Sequence, residues 1–346
     1  MENNINSTTV EKKYTAKDFS SGIDVKWCPG CGDYSILAQV QRTAPDFGEN
    51  LENIVWVSGI GCSSRFPYYM STYGFHSIHG RAAAVATGVK LANPKLQVWV
   101  ATGDGDMLSI GGNHFIHACR RNMDLKVLMF NNRIYGLTKG QFSPTSEKGK
   151  VTKSSPYGTV DFPFNSLRLA AGSGATFIAR ALDRDTKHLQ EMISRASKHK
   201  GFAFIEIYQN CPIFNDGAYF PLTEKETKQD NVIFLEHDKP MVYGANRDKG
   251  IKLDGLNPVI VDLNDGKHSI NDLLVHDEFD PNPTREFILA RFSDMPDFPV
   301  PIGVFRQFTK PTFNQEYENQ IQNVITKKKR GTYESLMFTE NTWEVS

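Results

Sequence analysis

Two short stretches carry residue types that can do chemistry together. One is Gly103-Asp104-Gly105-Asp106; the other is Asn131-Asn132, within about thirty residues of it. Asp104 and Asn132 are hard oxygen donors, and the backbone carbonyl of Ile134, just past them, offers a third. Mg²⁺ takes six oxygen ligands and readily shares them with phosphates. Glycines on either side of Asp104 let the backbone approach a ligand closely. A helix starting there turns its free N–H groups toward an anion. The pattern predicts a diphosphate–Mg²⁺ site. A lone GDG is an ordinary tight turn; GDGD after one strand and NN after the next is a far more specific signal.

Cysteine is the second reactive type. Cys28 and Cys31 form a CxxC turn, Cys62 sits in GIGCSSR, Cys211 in QNCP and Cys119 in FIHACRRN. Five thiols in a reducing compartment argue against a disulfide framework. Cys28, Cys31, Cys62 and Cys211 suit zinc or an iron–sulfur cluster. From the cysteines alone structural zinc is favoured, because CxxC pairs are common zinc ligands. Cys119, on a helix pattern, reads as a small buried hydrophobe.

The elements that position these residues follow from the apolar runs. Residues 53–58, 96–102, 125–130, 175–179 and 202–208 read as strands, and 108–121 and 186–198 as helices. Asp33 is placed to cap a short helix behind the CxxC turn, and GRAAAVATGVKLANP is a helix stopped at Asn93-Pro94. Alternating strands and helices predict an α/β fold with a mostly parallel sheet and helices on both faces. Cys62, Asp104, Asn132 and Cys211 each follow a strand, so all four converge on the carboxyl edge, where open α/β sheets bind ligands. Residues 133–164 form a long loop with little periodicity, which in a compact domain is functional or mobile. Three regions are expected: an N-terminal arm or disordered extension (1–23), the α/β domain (24–220), and a C-terminal extension (221–346) that covers the core and contacts a partner.

The whole chain sets bounds. It has 346 residues, with 39 Lys plus Arg against 39 Asp plus Glu, hence no global field to attract nucleic acid. Hydrophobic residues are 40%, as in a globular protein. The polar first twenty residues lack the apolar core of a signal peptide, and no run approaches a membrane span. A soluble, cytoplasmic protein is expected. The run 327–330 (KKKR) reads as a solvated face, and His114 and His117 as packing or polar-face residues.

The GDGD…NN pattern resembles the thiamine diphosphate-binding motif. In that motif the GDG Asp and second Asn hold the metal, which holds the cofactor's diphosphate. Asp104 and Asn132 match those ligands, Ile134 the backbone-carbonyl ligand, and Gly105 and Asp106 the backbone contacts to the diphosphate. This reverses the order at the cysteines. Thiamine adds to a 2-oxo acid; loss of CO₂ and oxidation to the acyl level releases two electrons. No GxGxxG fingerprint offers a dinucleotide to receive them, so a redox cluster fills the gap.

The stretches WCPGCGDYSIL, GIGCSSRFP, HSIHGRAAAVATGVKLANP, ATGDGDMLSIGGNHFIHACRRN and NNRIYGLTKGQFSPTS, on to Cys211, resemble the β subunit of 2-oxoacid:ferredoxin oxidoreductases, most closely the 2-oxoglutarate type. The resemblance covers about two-thirds of the chain. It implies thiamine diphosphate, Mg²⁺ and one [4Fe–4S] cluster held by Cys28, Cys31, Cys62 and Cys211. It also implies a heteromeric enzyme that turns a 2-oxo acid and coenzyme A into acyl-CoA and CO₂ and reduces ferredoxin. Ile60, Gly61, Cys62 and Ser63 match a segment that touches the cofactor, as do Gly136 and Leu137. Lys139 matches a lysine on a loop that closes over the substrate, where a cation pairs with the 2-oxo acid carboxylate. Arg65 is suited to a second, distal carboxylate through its planar fork. His79 either contacts the diphosphate or orders a helix start. The aminopyrimidine half of the site is expected on a separate α subunit, so that this chain alone is inactive. Two readings compete: the same chemistry on pyruvate or another 2-oxo acid, and a non-redox decarboxylase or synthase subunit with structural zinc.

Overall fold

The computed structural model describes residues 13–338 together with Thr342, Trp343 and Val345. Positions 1–12 of the expected arm lie outside the described residues. The apolar and β-branched runs form β1 (Ile54–Ser58), β2 (Tyr73–His76), β3 (Gln97–Gly103), β4 (Leu125–Asn131), β5 (Phe177–Leu182) and β6 (Ala203–Tyr208). Further on come β7 (Val232–Leu235), β8 (Val242–Tyr243), β9 (Lys249–Asp254), β10 (Asn257–Asp262) and β11 (Val300–Gln307). Among the described residues the main sheet has the order β2-β1-β3-β4-β6-β5-β11-β7. Every pairing from β2 through β5 is parallel. β11 runs antiparallel to β5 and parallel to β7. β8, β9 and β10 form a separate antiparallel sheet.

Alternation along the strands builds two cores. In β3, Val98 and Val100 join one cluster while Trp99 and Ala101 join the other. In β4, Val127 and Met129 face the first, and Leu128 and Phe130 the second. Period two requires this whenever both faces are covered. The covering helices are α1 (Asp33–Thr43), α2 (Ala82–Ala92), α3 (Asp104–Leu108), α4 (Gly112–Arg120), α5 (Ser166–Gly172) and α6 (Thr186–Lys198). α2, α4 and α5 pack into the first cluster, α1 and α6 into the second. In α6, Leu189, Met192, Ile193 and Ala196 recur at helical spacing and are buried. Trp56 and Trp99, both fully buried, stack with ring centroids 5.2 Å apart. Burying a side chain of this kind contributes about 1.5–3 kcal/mol.

Four sequence readings shift. The single helix expected over 108–121 is two helices, α3 and α4, because Gly111 sits where a Cβ would stand 2.4 Å from the Asp106 carbonyl. The strand expected over 175–179 starts later, at Phe177, since the Ala175 N–H is spent closing α5 on the Ala170 carbonyl at 3.0 Å. The described part of the arm does not trail: Phe19 is fully buried, and Ser20 forms a bridge with Met70. One aromatic ring entering the core outweighs the polar composition around it. Finally, β7 and β11 carry the main sheet across position 220, into the region read as an extension. The helix Phe313–Lys328 buries only Asn314, and residues 327–330 are exposed as expected. Among the described residues no helix is long and apolar enough to cross a membrane.

Candidate active site

The ends of β1, β3 and β4 meet at one rim and line a cavity of about 600 Å³. Its wall brings together most of the predicted residues. Ile60, Gly61, Cys62 and Ser63 come from the turn after β1, and His79 from the turn before α2. Asp104, Gly105 and Asp106 follow β3; Asn132, Ile134, Gly136 and Leu137 follow β4.

Asp106 organises this wall through its side chain as well as its backbone. Its Oδ1 accepts from Ile60 N at 3.0 Å and from Gly80 N at 2.7 Å, and His79 Nδ1 lies 2.7 Å away. Its Oδ2 accepts from Thr102 Oγ1 at 2.8 Å. The carboxylate is buried, and Gly59 packs so closely that a Cβ there would fall 2.0 Å from Oδ2. One buried anion thus ties the glycine-rich turn, the His79-Gly80 turn and β3 together.

The paired asparagines divide their work by strand alternation. Asn131 faces inward and donates to Glu206 Oε1 at 2.8 Å; Glu206 is in turn paired with buried Arg180 at 2.7 Å. Asn132, the next residue, faces the cavity, and its Oδ1 accepts from Ile134 N at 3.1 Å. Asp104 is 2% exposed, and burial pushes its carboxyl up to about 6 despite hydroxyl hydrogen bonds from Ser143 and Thr145. Both hydroxyls reach its Oδ2 at 2.5 Å. Carboxylate, amide and backbone carbonyl form an all-oxygen donor set, and a buried carboxylate of this kind is stabilised by a cation, so the residues fit Mg²⁺. The Tyr135 hydroxyl donates to the Gly105 carbonyl at 2.9 Å; a Cβ on Gly105 would stand 2.2 Å from that ring.

The cysteines lie on the far side of the same wall. A Cβ built on Gly136 would stand 3.6 Å from Cys211 Sγ and 3.7 Å from Cys62 Sγ, so both sulfurs flank this lining residue, and Cys62 itself lines the cavity. The CxxC turn packs beside them: Gly32 N donates to the Asn210 carbonyl at 3.1 Å, and Gln209 Nε2 lies 3.3 Å from Cys31 Sγ. Burial, then the negative charge of Asp33, pushes the Cys62 thiol up to about 12. The Cys31 thiol is raised by the same two causes in the same order. Cys28 is exposed and Cys211 buried. Among the described residues no three His, Cys, Asp or Glu side chains group tightly enough to hold a single metal ion. By type, thiolates suit zinc or an iron–sulfur cluster. Cys119 is a free, fully buried member of the core, as the bland reading has it.

Cys28, Cys31 and Cys211 lie outside the cavity lining, and so do Arg65 and Lys139. Arg65 sits on the short helix Ser63–Tyr69, where its Nε donates to the Tyr69 hydroxyl at 2.9 Å; its charge acts on the neighbouring Cys62 thiol, favouring the thiolate. Lys139 is exposed on the turn that carries Gly136 and Leu137, with a left-handed backbone at φ 74°. Asp33 does not cap α1. Gly32 occupies the cap position, packed where a Cβ would lie 2.0 Å from Asp183 Oδ2. The Asp33 side chain lines the cavity instead, 1% exposed, with the Cys31 thiol as its neighbour. Ser143, Thr145 and Tyr135 are site residues that sequence reasoning missed. The QFSPTS run shortly after the metal motif held the first two, but its loop has no periodicity to place it.

Comparison with known proteins bears on this geometry. Residues 55–207 match the family model described as the thiamine pyrophosphate enzyme, C-terminal TPP binding domain. The 2-oxoglutarate oxidoreductase subunit KorB of Mycobacterium tuberculosis is 49% identical over 339 residues, 97% of this chain and 90% of that protein. The chain belongs to the 2-oxoacid:ferredoxin oxidoreductase β subunits. Another relative, the 2-oxoacid:ferredoxin oxidoreductase subunit beta of Saccharolobus solfataricus, is 50% identical over 214 residues, 61% of this chain and 68% of that one. A solved 2-oxoglutarate:ferredoxin oxidoreductase from Magnetococcus marinus, with 2-oxoglutarate, coenzyme A and succinyl-CoA bound, superimposes with a TM-score of 0.74 at 32% identity. That match covers 94% of this chain and 95% of the other. As a β subunit of this family, the chain is one part of an enzyme complex and carries its thiamine diphosphate-binding domain.

Proposed function

We propose that this chain is the cofactor-carrying half of a heteromeric enzyme that converts 2-oxoglutarate and coenzyme A to succinyl-CoA and CO₂ and passes the electrons to ferredoxin. The α subunit of the same complex would complete the site. One observation carries the reading: Cys62 lines the same cavity as Asp104 and Asn132, and Cys211 packs beside it against Gly136. A hard-ion site and a sulfur site in contact with one pocket suit two-electron chemistry followed by one-electron export.

Asp104, Asn132 and the Ile134 carbonyl would hold Mg²⁺, and through it the diphosphate. Gly105 lets the Tyr135 ring pack against this turn, and Asp106 keeps the surrounding turns in place. Cys28, Cys31, Cys62 and Cys211 would hold a [4Fe–4S] cluster, with exposed Cys28 on the solvent side. Bound thiamine diphosphate supplies the stabilisation of negative charge that decarboxylation requires. Lys139, on a turn at the cavity mouth, would meet the substrate carboxylate, and Arg65 would set the charge around Cys62.

The test is anaerobic co-purification with the α subunit, iron and sulfide analysis, and viologen reduction across 2-oxo acids. Iron and acid-labile sulfide in near-equal amounts and a preference for 2-oxoglutarate support the reading; bound zinc with no sulfide overturns it. Cys211→Ser should lose the cluster, and full iron content in that variant would remove Cys211 as a ligand. A broader range that includes pyruvate is the second reading, favoured by the general 2-oxoacid name of the Saccharolobus relative.

A further inference from the structure

The loop over 133–164 folds back onto Asp104 at one place. Ser143 Oγ and Thr145 Oγ1 each lie 2.5 Å from Asp104 Oδ2, and all three residues are buried. Hydroxyl-to-carboxylate bonds of this length are charge-assisted and strong. Thr145 Oγ1 is also 2.9 Å from Asn131 Oδ1, but its single proton goes to the Asp104 carboxylate, the closer oxygen and the stronger acceptor. Two donors on one oxygen block rotation of the carboxylate and leave Oδ1 as the oxygen with a fixed direction for a cation.

The same turn is tied to the rest of the loop. Ser143 N donates to Ser146 Oγ at 2.8 Å, and Ser146 Oγ donates to the Arg133 carbonyl at 2.6 Å. Phe164 N donates to the Pro144 carbonyl at 2.7 Å, closing the loop at its far end. Between these anchors Gly149 N donates to the Thr159 carbonyl at 2.7 Å.

We propose that Ser143 and Thr145 are positioning residues that orient Asp104 for its cation, so that cation binding and the order of the loop over 146–164 are one linked event. The proposal rests on the reading of Asp104 as a cation ligand. Groups that orient a metal ligand from behind typically set affinity by 10–100-fold. Linkage makes the coupling reciprocal: a cation that is held better by the closed loop must also hold the loop closed.

The experiment uses the full complex with its α subunit, titrated with Mg²⁺ in the presence of thiamine diphosphate. Binding is read by calorimetry and loop order by tryptic cleavage at Lys148, Lys150 and Lys153. Ser143→Ala with Thr145→Val should weaken Mg²⁺ roughly 10–100-fold and abolish protection of the loop by Mg²⁺. Thr145→Ser, which keeps the hydroxyl, should restore both. Thr145→Val alone, with an unchanged melting temperature, decides the matter if the double variant folds poorly: it should still weaken Mg²⁺ several-fold. Asp104→Asn runs in parallel. If Asp104→Asn loses Mg²⁺ while the hydroxyl variants bind it within about twofold of wild type, the positioning role is wrong and the ligand assignment stands. If Asp104→Asn binds Mg²⁺ like wild type, both are wrong.

Discussion

His79 Nδ1 lies 2.7 Å from Asp106 Oδ1, so the imidazole on the cavity wall is held by a carboxylate buried in its floor. The sequence left two roles for His79, a diphosphate contact or an ordering role at the start of α2. The contact with Asp106 shows the ordering role, and the position on the wall keeps the other available. A carboxylate partner of this kind fixes which ring nitrogen carries the proton, here Nδ1, and leaves Nε2 as the second functional atom.

Asp106 should be sensitive to truncation more than to loss of charge. Asp106→Ala removes the acceptor for two backbone N–H groups, His79 and Thr102, and an unmet buried donor costs about 1–3 kcal/mol. Thermal denaturation should show a fall of several degrees, with weaker thiamine diphosphate binding. Asp106→Asn should keep most of the stability, because the Thr102 hydroxyl can turn and accept from the amide. Equal damage from both variants would argue that the negative charge itself matters.

A buried charge cluster at the opposite edge of the sheet predicts acid sensitivity. Asp124 is paired with Lys126 at 2.7 Å and Lys90 at 3.0 Å. Burial alone would raise its carboxyl, but the two ammonium groups outweigh burial and hold it well below the usual range. Its stabilising contribution is present above the unfolded value of 3.8 and is lost as pH falls below that toward the lower folded value. Denaturant melts from pH 6 down to about 3 should show this loss. Asp124→Asn should flatten it, at a cost of about 3–5 kcal/mol at neutral pH from two lysines left unpaired.

Lys139→Ala separates substrate binding from cofactor binding. Lys139 is exposed and lies outside the cavity lining, so its removal should leave iron, thiamine diphosphate and melting temperature unchanged. The KM for the 2-oxo acid should rise about tenfold, the effect of losing one charge-assisted bond of about 1.5 kcal/mol. Unchanged kinetics would remove the residue from the site.

Exposed rings on the loop beside the cavity give a test of whether the α subunit docks there. Tyr157 is 100% exposed, Val160 81% and Phe162 77%, although all three are apolar. Phe162→Asp should weaken association with the α subunit at least tenfold in a sedimentation or interferometry assay. The isolated chain should melt at nearly the same temperature, because this side chain is 77% exposed and its ring contact is with the Lys148 ammonium at 4.3 Å. An unaltered affinity would place the interface elsewhere.

Local rules made a good part of the protein readable from its residues. Strand runs such as 96–102 and 202–208 were legible because a strand buried on both faces is mostly apolar. GDGD and NN could be joined into one site because parallel strands deliver their following turns to the same edge. The four cysteines were legible by type, and the family by the motifs that contain them. Tertiary structure decided what sequence spacing has no way to express. Asp33 was assigned to a helix cap by position, yet Gly32, packed against Asp183, takes the cap position and the Asp33 side chain lines the cavity. Arg65 was assigned to a substrate, yet a 3₁₀ turn lays it on Tyr69 beside Cys62. Ser143 and Thr145 were invisible because an aperiodic loop has no pattern that says where it folds back. Chain periodicity reports which face a residue takes within its own element; which distant side chain it then meets depends on packing between elements, and only the folded chain holds that information.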